Sequence, residues 1–267
     1  MTGATSRPAT PLAVPLDLTP APGAAPLPRM VLAQAGYEFR TLLRNGEQLL
    51  LTLIIPVVLL TLFSTTSLLD LGTGRRVDFL APGILALAVM STAFTGQAIG
   101  TGFERRYGVL KRLGATPLPR GGLITAKTLT VVAVEALQAT VICAVALALG
   151  WHPHGDPVSA LALLLLGTAA FSGFGLLMAG TLRAEATLAA ANLVYILLLA
   201  FGGVIFPLDT FPGEVRDVLE LLPMSALADG LRQVLQDGAA FPGQPLLVLT
   251  VWAAAGLVLA ARLFKWE

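Results

Sequence analysis

A charge-free apolar run meets a basic segment at residue 104. Residues 79–103 read FLAPGILALAVMSTAFTGQAIGTGF, and residues 104–120 read ERRYGVLKRLGATPLPR. The first stretch exceeds the roughly 20 apolar residues that a helix needs to cross the hydrocarbon core of a bilayer. The second contains five of the 17 Lys and Arg residues of the chain. Together they predict a transmembrane helix followed by a basic loop on the inner side of a membrane.

The composition of the whole chain excludes an ordinary soluble domain. Its mean hydropathy is +0.80 and 12% of its residues are charged, whereas soluble proteins carry about 25% charge. Six apolar runs are long enough to be spans: residues 49–69, 79–103, 128–149, 159–182, 187–208 and 241–261. Because these runs lack the two-residue alternation of barrel strands, they predict an all-α membrane protein with six transmembrane helices.

The distribution of basic residues predicts the orientation of these spans. With the N-terminus inside, thirteen of the 17 Lys and Arg residues lie on the inner side, and four lie outside: Arg75, Arg76, Arg216 and Arg232. This split follows the positive-inside rule. We therefore expect a multi-pass protein of the cell (plasma) membrane with both termini in the cytoplasm.

Two different segments precede the first span. Residues 1–28 contain seven prolines and few large apolar side chains, which predicts a disordered cytoplasmic tail. Residues 29–45 are amphipathic: one helical face carries Gln34, Glu38, Thr41 and Asn45, and another carries Leu32, Ala35, Phe39 and Leu43. They predict an interfacial helix at the inner membrane surface. The alternative is a plain cytoplasmic extension of the first span.

Two segments between spans have helical patterns of their own. In the basic loop, Val109, Leu110 and Leu113 form a small apolar patch one turn apart, and Gly114 ends the helix. Such a helix either docks into a groove on a partner or is held by anionic lipid head groups. On the outer side, residues 207–240 predict two short helices that dip into the outer leaflet, or else a small cap on the surface.

The residues that could carry chemistry are few. The sequence contains no Gly-x-x-x-x-Gly-Lys-Ser/Thr loop, no Gly-x-Ser-x-Gly elbow and no His-Glu-x-x-His motif, so we expect neither an enzyme nor a nucleotide or metal site in this chain. Glu135 is ionisable and lies well inside a span, where it contacts a substrate or a proton, or else joins two spans by a hydrogen bond. Asn192 and Tyr195 share a face of the fifth span, where they line a pathway or pack two helices together.

Three motifs in order resemble a known family. They are Glu104-Arg105-x-x-Gly108-Val109-Leu110-x-x-Leu113 with the following Pro117 and Arg120, then Gly202-Gly203-Val204-Ile205-Phe206-Pro207-Leu208, and then Leu222-Pro223-Met224-Ser225. Over residues 29–267 the chain resembles the permease subunit of a type-2 ATP-binding-cassette (ABC) exporter, and it is similar to drug-resistance permeases.

This resemblance implies a six-span domain with a coupling helix at about residues 103–115 and re-entrant helices at about residues 207–240. The residues that it assigns to ATPase coupling are Glu104, Arg105, Gly108, Val109, Leu110 and Leu113. Its pathway between two protomers makes Asn192 and Tyr195 candidates for substrate contact, with Glu135 less central.

The same resemblance implies the partners. We expect a second permease protomer, giving a homodimer, and two copies of an ABC ATPase that hold ATP and Mg, so that this chain needs no cofactor. Membrane lipid is a further expected partner and nucleic acid is not. The expected cargo is amphipathic, drug-like or lipid-linked. The rival hypothesis is a proton-coupled secondary transporter that uses Glu135.

Overall fold

The computed structural model describes residues 23–46, 50–66, 75–204 and 207–265. Most of the predicted tail, residues 1–22, lies outside the described residues, as do Ile205 and Phe206 of the second motif. Within the described ranges every regular element is helical. The predicted all-α class is therefore confirmed.

Ten helices follow one another along the described residues. They are α1 (Leu27–Arg44), α2 (Ile55–Thr65, preceded by a π-helical turn at Leu50–Ile54), α3 (Arg76–Arg106), α4 (Val109–Gly114), α5 (Arg120–Ala148), α6 (Pro157–Thr181), α7 (Ala184–Phe201), α8 (Gly213–Leu219), α9 (Pro223–Leu235) and α10 (Gly243–Leu263).

Five of these helices are long and apolar enough to cross a membrane, namely α3, α5, α6, α7 and α10. They coincide with five of the six predicted spans. The remaining prediction, residues 49–69, corresponds to the shorter apolar stretch Thr52–Thr65, and the predicted run extends beyond the described residues at both ends. The structure thus supports a multi-span membrane protein, while the count of six stays a prediction.

Helix α3 forms the centre of the bundle, and small residues let its neighbours approach it. A Cβ atom at Gly175 of α6 would lie 2.9 Å from the carbonyl oxygen of Phe94, inside the π-helical segment Met90–Gly96 of α3. On its other side α6 crosses α10, where a Cβ atom at Gly173 would lie 2.6 Å from the carbonyl carbon of Gly256. Glycine is therefore required at both crossings.

The start of α6 shows how a turn residue fixes a helix. Asp156 caps the helix because its carboxylate accepts hydrogen bonds at 2.9 Å from the backbone N–H and from the hydroxyl of Ser159. The backbone bond from Ser159 is the main reason that the pKa of Asp156 lies below its ordinary value. Pro157 occupies the first helical position, where its missing N–H costs nothing.

Helix α1 covers the segment predicted to be amphipathic, and it packs along the N-terminal half of α5. Val31 and Ala35 contact Ala126, and the hydroxyl of Thr130 lies 3.3 Å from the carbonyl oxygen of Ala35. Leu32, on the predicted apolar face, remains exposed. The predicted apolar face is therefore divided: Ala35 packs on α5, whereas Leu32 remains free to face lipid.

The two short helices predicted before the last span are α8 and α9. Helix α9 is largely buried and packs against α3, α6 and α10, and the indole N–H of Trp252 donates to the carbonyl of Leu221, just before α9, at 2.8 Å. Helix α9 is thus packed into the bundle. How deeply α8 and α9 enter a bilayer stays a prediction.

Candidate coupling site

Helix α4 is joined to α3 by a turn that requires glycine. Helix α3 ends at Arg106, and Gly108 adopts a φ of +69° immediately before α4 begins. A side chain at this φ would push its Cβ toward the following carbonyl oxygen. No heavy atom lies within 4 Å of the place where a Cβ would sit. Glycine is therefore needed at this position for the backbone conformation and not for space.

An ion triad lies just before this turn. The ammonium of Lys127, on α5, is 2.6 Å from a carboxylate oxygen of Glu104 on α3 and 3.5 Å from one of Glu38 on α1. The side chain of Lys127 is only 9% exposed. The amide of Gln34 donates to the same Glu38 oxygen at 2.8 Å. One buried cation thus connects three helices.

The opposite charges of the triad hold α1, α3 and α5 together. Two carboxylates share one ammonium, so removing Lys127 would leave two negative groups facing each other in a poorly hydrated place. Because Glu104 is four residues before Gly108, the triad anchors the end of α3 from which α4 departs. The triad thus ties this end of α3 to α1 and α5.

Two arginines extend this anchorage to α7. The guanidinium of Arg105 donates to the carbonyl oxygen of Leu182, and Arg106 forms an ion pair with Glu185. Leu182 lies in the short link between α6 and α7, two residues before α7 begins, and Glu185 lies in the first turn of α7. The end of α3 is therefore connected to the start of α7 as well.

The predicted apolar patch of α4 is turned largely inward. Leu110 is buried, and Val109 and Leu113 are half-buried. Leu110 and Leu113 line a cavity of about 290 Å³ together with Leu118 and Leu123. The exposed side of the segment instead carries Tyr107, Lys111 and Arg112. The exposed side of this segment is therefore a cationic surface with one aromatic ring.

The three pathway candidates do not form one group. A carboxyl oxygen of Glu135 on α5 lies 2.6 Å from the hydroxyl of Thr168 on α6, which is the inter-helix hydrogen bond that the sequence left open. Asn192 and Tyr195 lie on α7; Asn192 is exposed and its amide donates to the carbonyl of Leu188 at 2.9 Å, while Tyr195 is half-buried.

The two hydrogen-bond contacts of the Thr168 hydroxyl bear on the protonation of Glu135. The hydroxyl of Thr168 also lies 2.8 Å from the carbonyl oxygen of Leu164, and a hydroxyl has a single hydrogen to donate. Both contacts are satisfied together when Thr168 donates to Leu164 and a protonated Glu135 donates to Thr168. The geometry therefore suits a neutral carboxyl that joins two helices.

Sequence reasoning missed Lys127, the centre of the triad. The available signal was its position, because Lys127 directly precedes the apolar run that begins at residue 128. In the sequence analysis this residue contributes only to the predicted orientation. Among the described residues, no cluster of three or more His, Cys, Asp or Glu side chains could hold a metal ion.

Comparison with known proteins places the chain in a family. The ABC-2 type transporter family matches residues 31–235, which cover the triad, α4 and α9. This chain belongs to the ABC-2 type transporter family. It is a membrane protein of the transport-permease kind, and a proton-coupled mechanism through Glu135 is not favoured.

Two relatives give the similarity in numbers. The chain is 26% identical over 202 residues to Nodulation protein J of Azorhizobium caulinodans, covering 71% of this chain and 79% of the relative. It is 23% identical over 210 residues to "Putative transport permease YvfS" of Bacillus subtilis, covering 77% of this chain and 85% of the relative.

Proposed function

We infer that this chain is the membrane subunit of an ATP-driven exporter, in which separate ATPase subunits hold ATP and Mg and act on α4. The observation that carries this proposal is the triad of Glu38, Lys127 and Glu104, because it ties the end of α3 to two other helices. A helix that only rested on the membrane surface would have no need of such a buried anchor.

The proposed coupling path runs from α4 into the bundle. A push on α4 is transmitted through the turn at Gly108 to Glu104, and from there through Lys127 to α1 and α5. Arg105 and Arg106 carry the same displacement to the start of α7. The six residues predicted for coupling thus divide into those that hold α4 in place, such as Glu104 and Leu110, and those that shape its surface.

The ATPase contact itself falls on the exposed cations. Lys111 and Arg112 point away from the bundle, beside the exposed ring of Tyr107. A cleft with acidic side chains and an apolar floor would complement this surface, because opposite charges steer association and fix the docking register. We assign the primary ATPase contact to Tyr107, Lys111 and Arg112, with Val109 and Leu113 at its edge.

We further propose how the chain assembles, how it is oriented in the membrane and what it transports. Two copies of this chain pair through the open side of α7, and each binds one ATPase. The basic loop supports cytoplasmic termini, and outward transport is proposed from the family resemblance alone. The pathway lies between the protomers beside Asn192 and Tyr195, in mostly apolar surroundings, which favours an amphipathic, drug-like or lipid-linked cargo. A relative named as a transport permease supports the general class.

Reconstitution with an ATPase tests the proposal. The chain is placed in lipid nanodiscs with an ABC ATPase encoded next to it, and ATP hydrolysis and binding of the ATPase are measured. We expect the wild type to bind the ATPase and change its turnover. The double substitution K111E/R112E should weaken binding by about tenfold or more, since reversing interfacial charges costs several kcal/mol.

The control uses a basic residue on the predicted outer side. Arg216 is exposed and ion-paired, so R216E should leave ATPase binding unchanged. Equal loss with R216E, or undiminished binding with K111E/R112E, would contradict the docking assignment. Transport driven by a pH gradient in proteoliposomes that lack any ATPase would contradict the proposal as a whole.

A further inference from the structure

Arg232 is a buried cation at the opposite end of the bundle from the triad. It lies on α9, and 7% of its surface is exposed. Its Nη2 donates to the carbonyl oxygens of Gly203 at 2.6 Å and Val204 at 3.1 Å, and its Nε donates to that of Phe79 at 3.3 Å. Its Nη1 pairs with Asp229 at 2.8 Å. Four of the five guanidinium hydrogens are therefore in use.

The surroundings are shaped for a planar guanidinium. The Arg232 group stacks on the ring of Phe79 at 3.8 Å from its centroid, a favourable arrangement for a desolvated cation. On the other side Gly83 leaves room for it: a Cβ atom there would lie 2.9 Å from Nη2 and 2.8 Å from the Val204 oxygen. A lysine ammonium could match neither the fork nor the stacking.

The carbonyls that Arg232 binds also favour a cation electrostatically. Gly203 and Val204 directly follow the C-terminal end of α7, where the helix dipole is negative. Gly203 has a φ of +68°, which turns the chain so that two successive carbonyls reach one nitrogen. Arg232 thereby joins α9 to the start of α3 and to the end of α7.

One of these contacts differs from the others in its access to solvent. Asp229 and Arg232 border a half-open cavity of about 550 Å³, together with Asp209, Glu220 and Asp237. The side chain of Asp229 is partly exposed, whereas the carbonyl contacts of Gly203 and Val204 are buried. The ion pair is thus the solvent-accessible part of an otherwise sealed set of contacts.

We propose that Arg232 is a positioning residue that keeps the outer end of the permease closed. Its contacts with Phe79, Gly203, Val204 and Asp229, here called the outer latch, hold α9 against α3 and α7. Opening of the exit then requires the outer latch to separate. The presence of an exit at this end rests on the proposed function, whereas the restraint on α9 does not.

Cysteine accessibility in nanodiscs tests the outer latch without any ATPase or substrate. In a full-length C143A background, Ser225→Cys reports on α9 and Ser172→Cys reports on the bundle core; both serines are buried. A water-soluble maleimide is the probe. We expect R232M to raise the labelling rate at residue 225 by about tenfold or more, the effect of losing a charged hydrogen bond, and to leave residue 172 unchanged.

Two more variants complete the design. R232K keeps the charge but lacks the planar fork of the guanidinium, and it should give an intermediate labelling rate at residue 225. If R232M yields no folded protein, the labelling rate of R232K tests the proposal in its place. R216M, which removes an exposed, ion-paired arginine of the predicted outer side, should have no effect. Equal rates in R232K and wild type, or a parallel rise at residue 172, would overturn the proposal, the latter by showing a purely structural role. A failure of ATPase coupling would leave these rates untouched, so the two proposals fail separately.

Discussion

At the scale of single residues, Lys127 has the clearest consequences for stability. Replacing it by methionine keeps the apolar stem but leaves Glu104 and Glu38 without their cation. Because the Lys127 side chain is only 9% exposed and its partners Glu38 and Glu104 are 15% and 32% exposed, we expect K127M to lower the free energy of unfolding by about 2–4 kcal/mol. Thermal and denaturant unfolding of the nanodisc-embedded protein measures this loss.

Neutral partners distinguish charge from packing in the triad. The variant E38Q/E104Q/K127M has no charge left to compensate, so we expect it to recover a large part of the stability lost in K127M. If the triple variant is as unstable as K127M, the ion pairs are not what the lysine provides. Independent effects of the three substitutions would lead to the same conclusion.

Glu135 gives a second prediction at this scale. An amide keeps both the shape and the donor of a protonated carboxyl, so E135Q should retain the contact with Thr168 and stay within about 1 kcal/mol of the wild type. E135A leaves a cavity and removes the partner of Thr168, and we expect it to cost about 1–3 kcal/mol. Unfolding in nanodiscs measures both. A large loss in E135Q alone would show that the ionised form is the one that matters.

At the scale of elements, the contribution of the turn at Gly108 can be tested separately from that of the helices α3 and α4 that it joins. Its φ of +69° makes alanine unfavourable by about 1–2 kcal/mol, whereas asparagine enters this region more readily. We therefore expect G108A to impair ATPase stimulation more than G108N does, although a Cβ meets no neighbour in either. Equal activity of G108A and wild type in the reconstituted ATPase assay would show that the left-handed turn is dispensable for coupling.

The helical elements could largely be predicted from the sequence, and their faces only in part. Runs of apolar residues located α3, α5, α6, α7 and α10, because membrane insertion depends on length and hydropathy. The π-helical segment Met90–Gly96 has no such signature. The inward turn of Leu110 was also not predictable, since a six-residue helix with both apolar and basic residues can pack either way round.

At the scale of the whole molecule, the contacts of the two buried cations join residues that are distant in sequence. Lys127 meets Glu38 across the interface of α1 and α5, and Arg232 meets the carbonyl of Gly203 in another helix–helix junction. The sequence bore on both cations only through the side of the membrane that each is expected to face. It could not show their partners, because these depend on how the helices cross.

The exposed side of α7 indicates how two copies of the chain would meet. Helix α7 is the least covered of the five long helices, and it exposes the amide of Asn192 among Leu193, Ile196 and Leu197. An exposed amide is costly in hydrocarbon and is better placed against a polar partner. In a twofold dimer this partner can be the same face of a second copy.

Cross-linking in the membrane provides the last prediction, that α7 lies at the dimer axis and α10 does not. Ile196 on α7 and Val251 on α10 have nearly equal exposures of 60% and 62%, so cysteines at the two positions are matched in access to lipid. In the C143A background we expect a short bismaleimide to link two copies through I196C and not through V251C, because a twofold contact brings each residue near its own counterpart. Links through V251C alone would move the interface to α10, and links through neither would contradict pairing through α7.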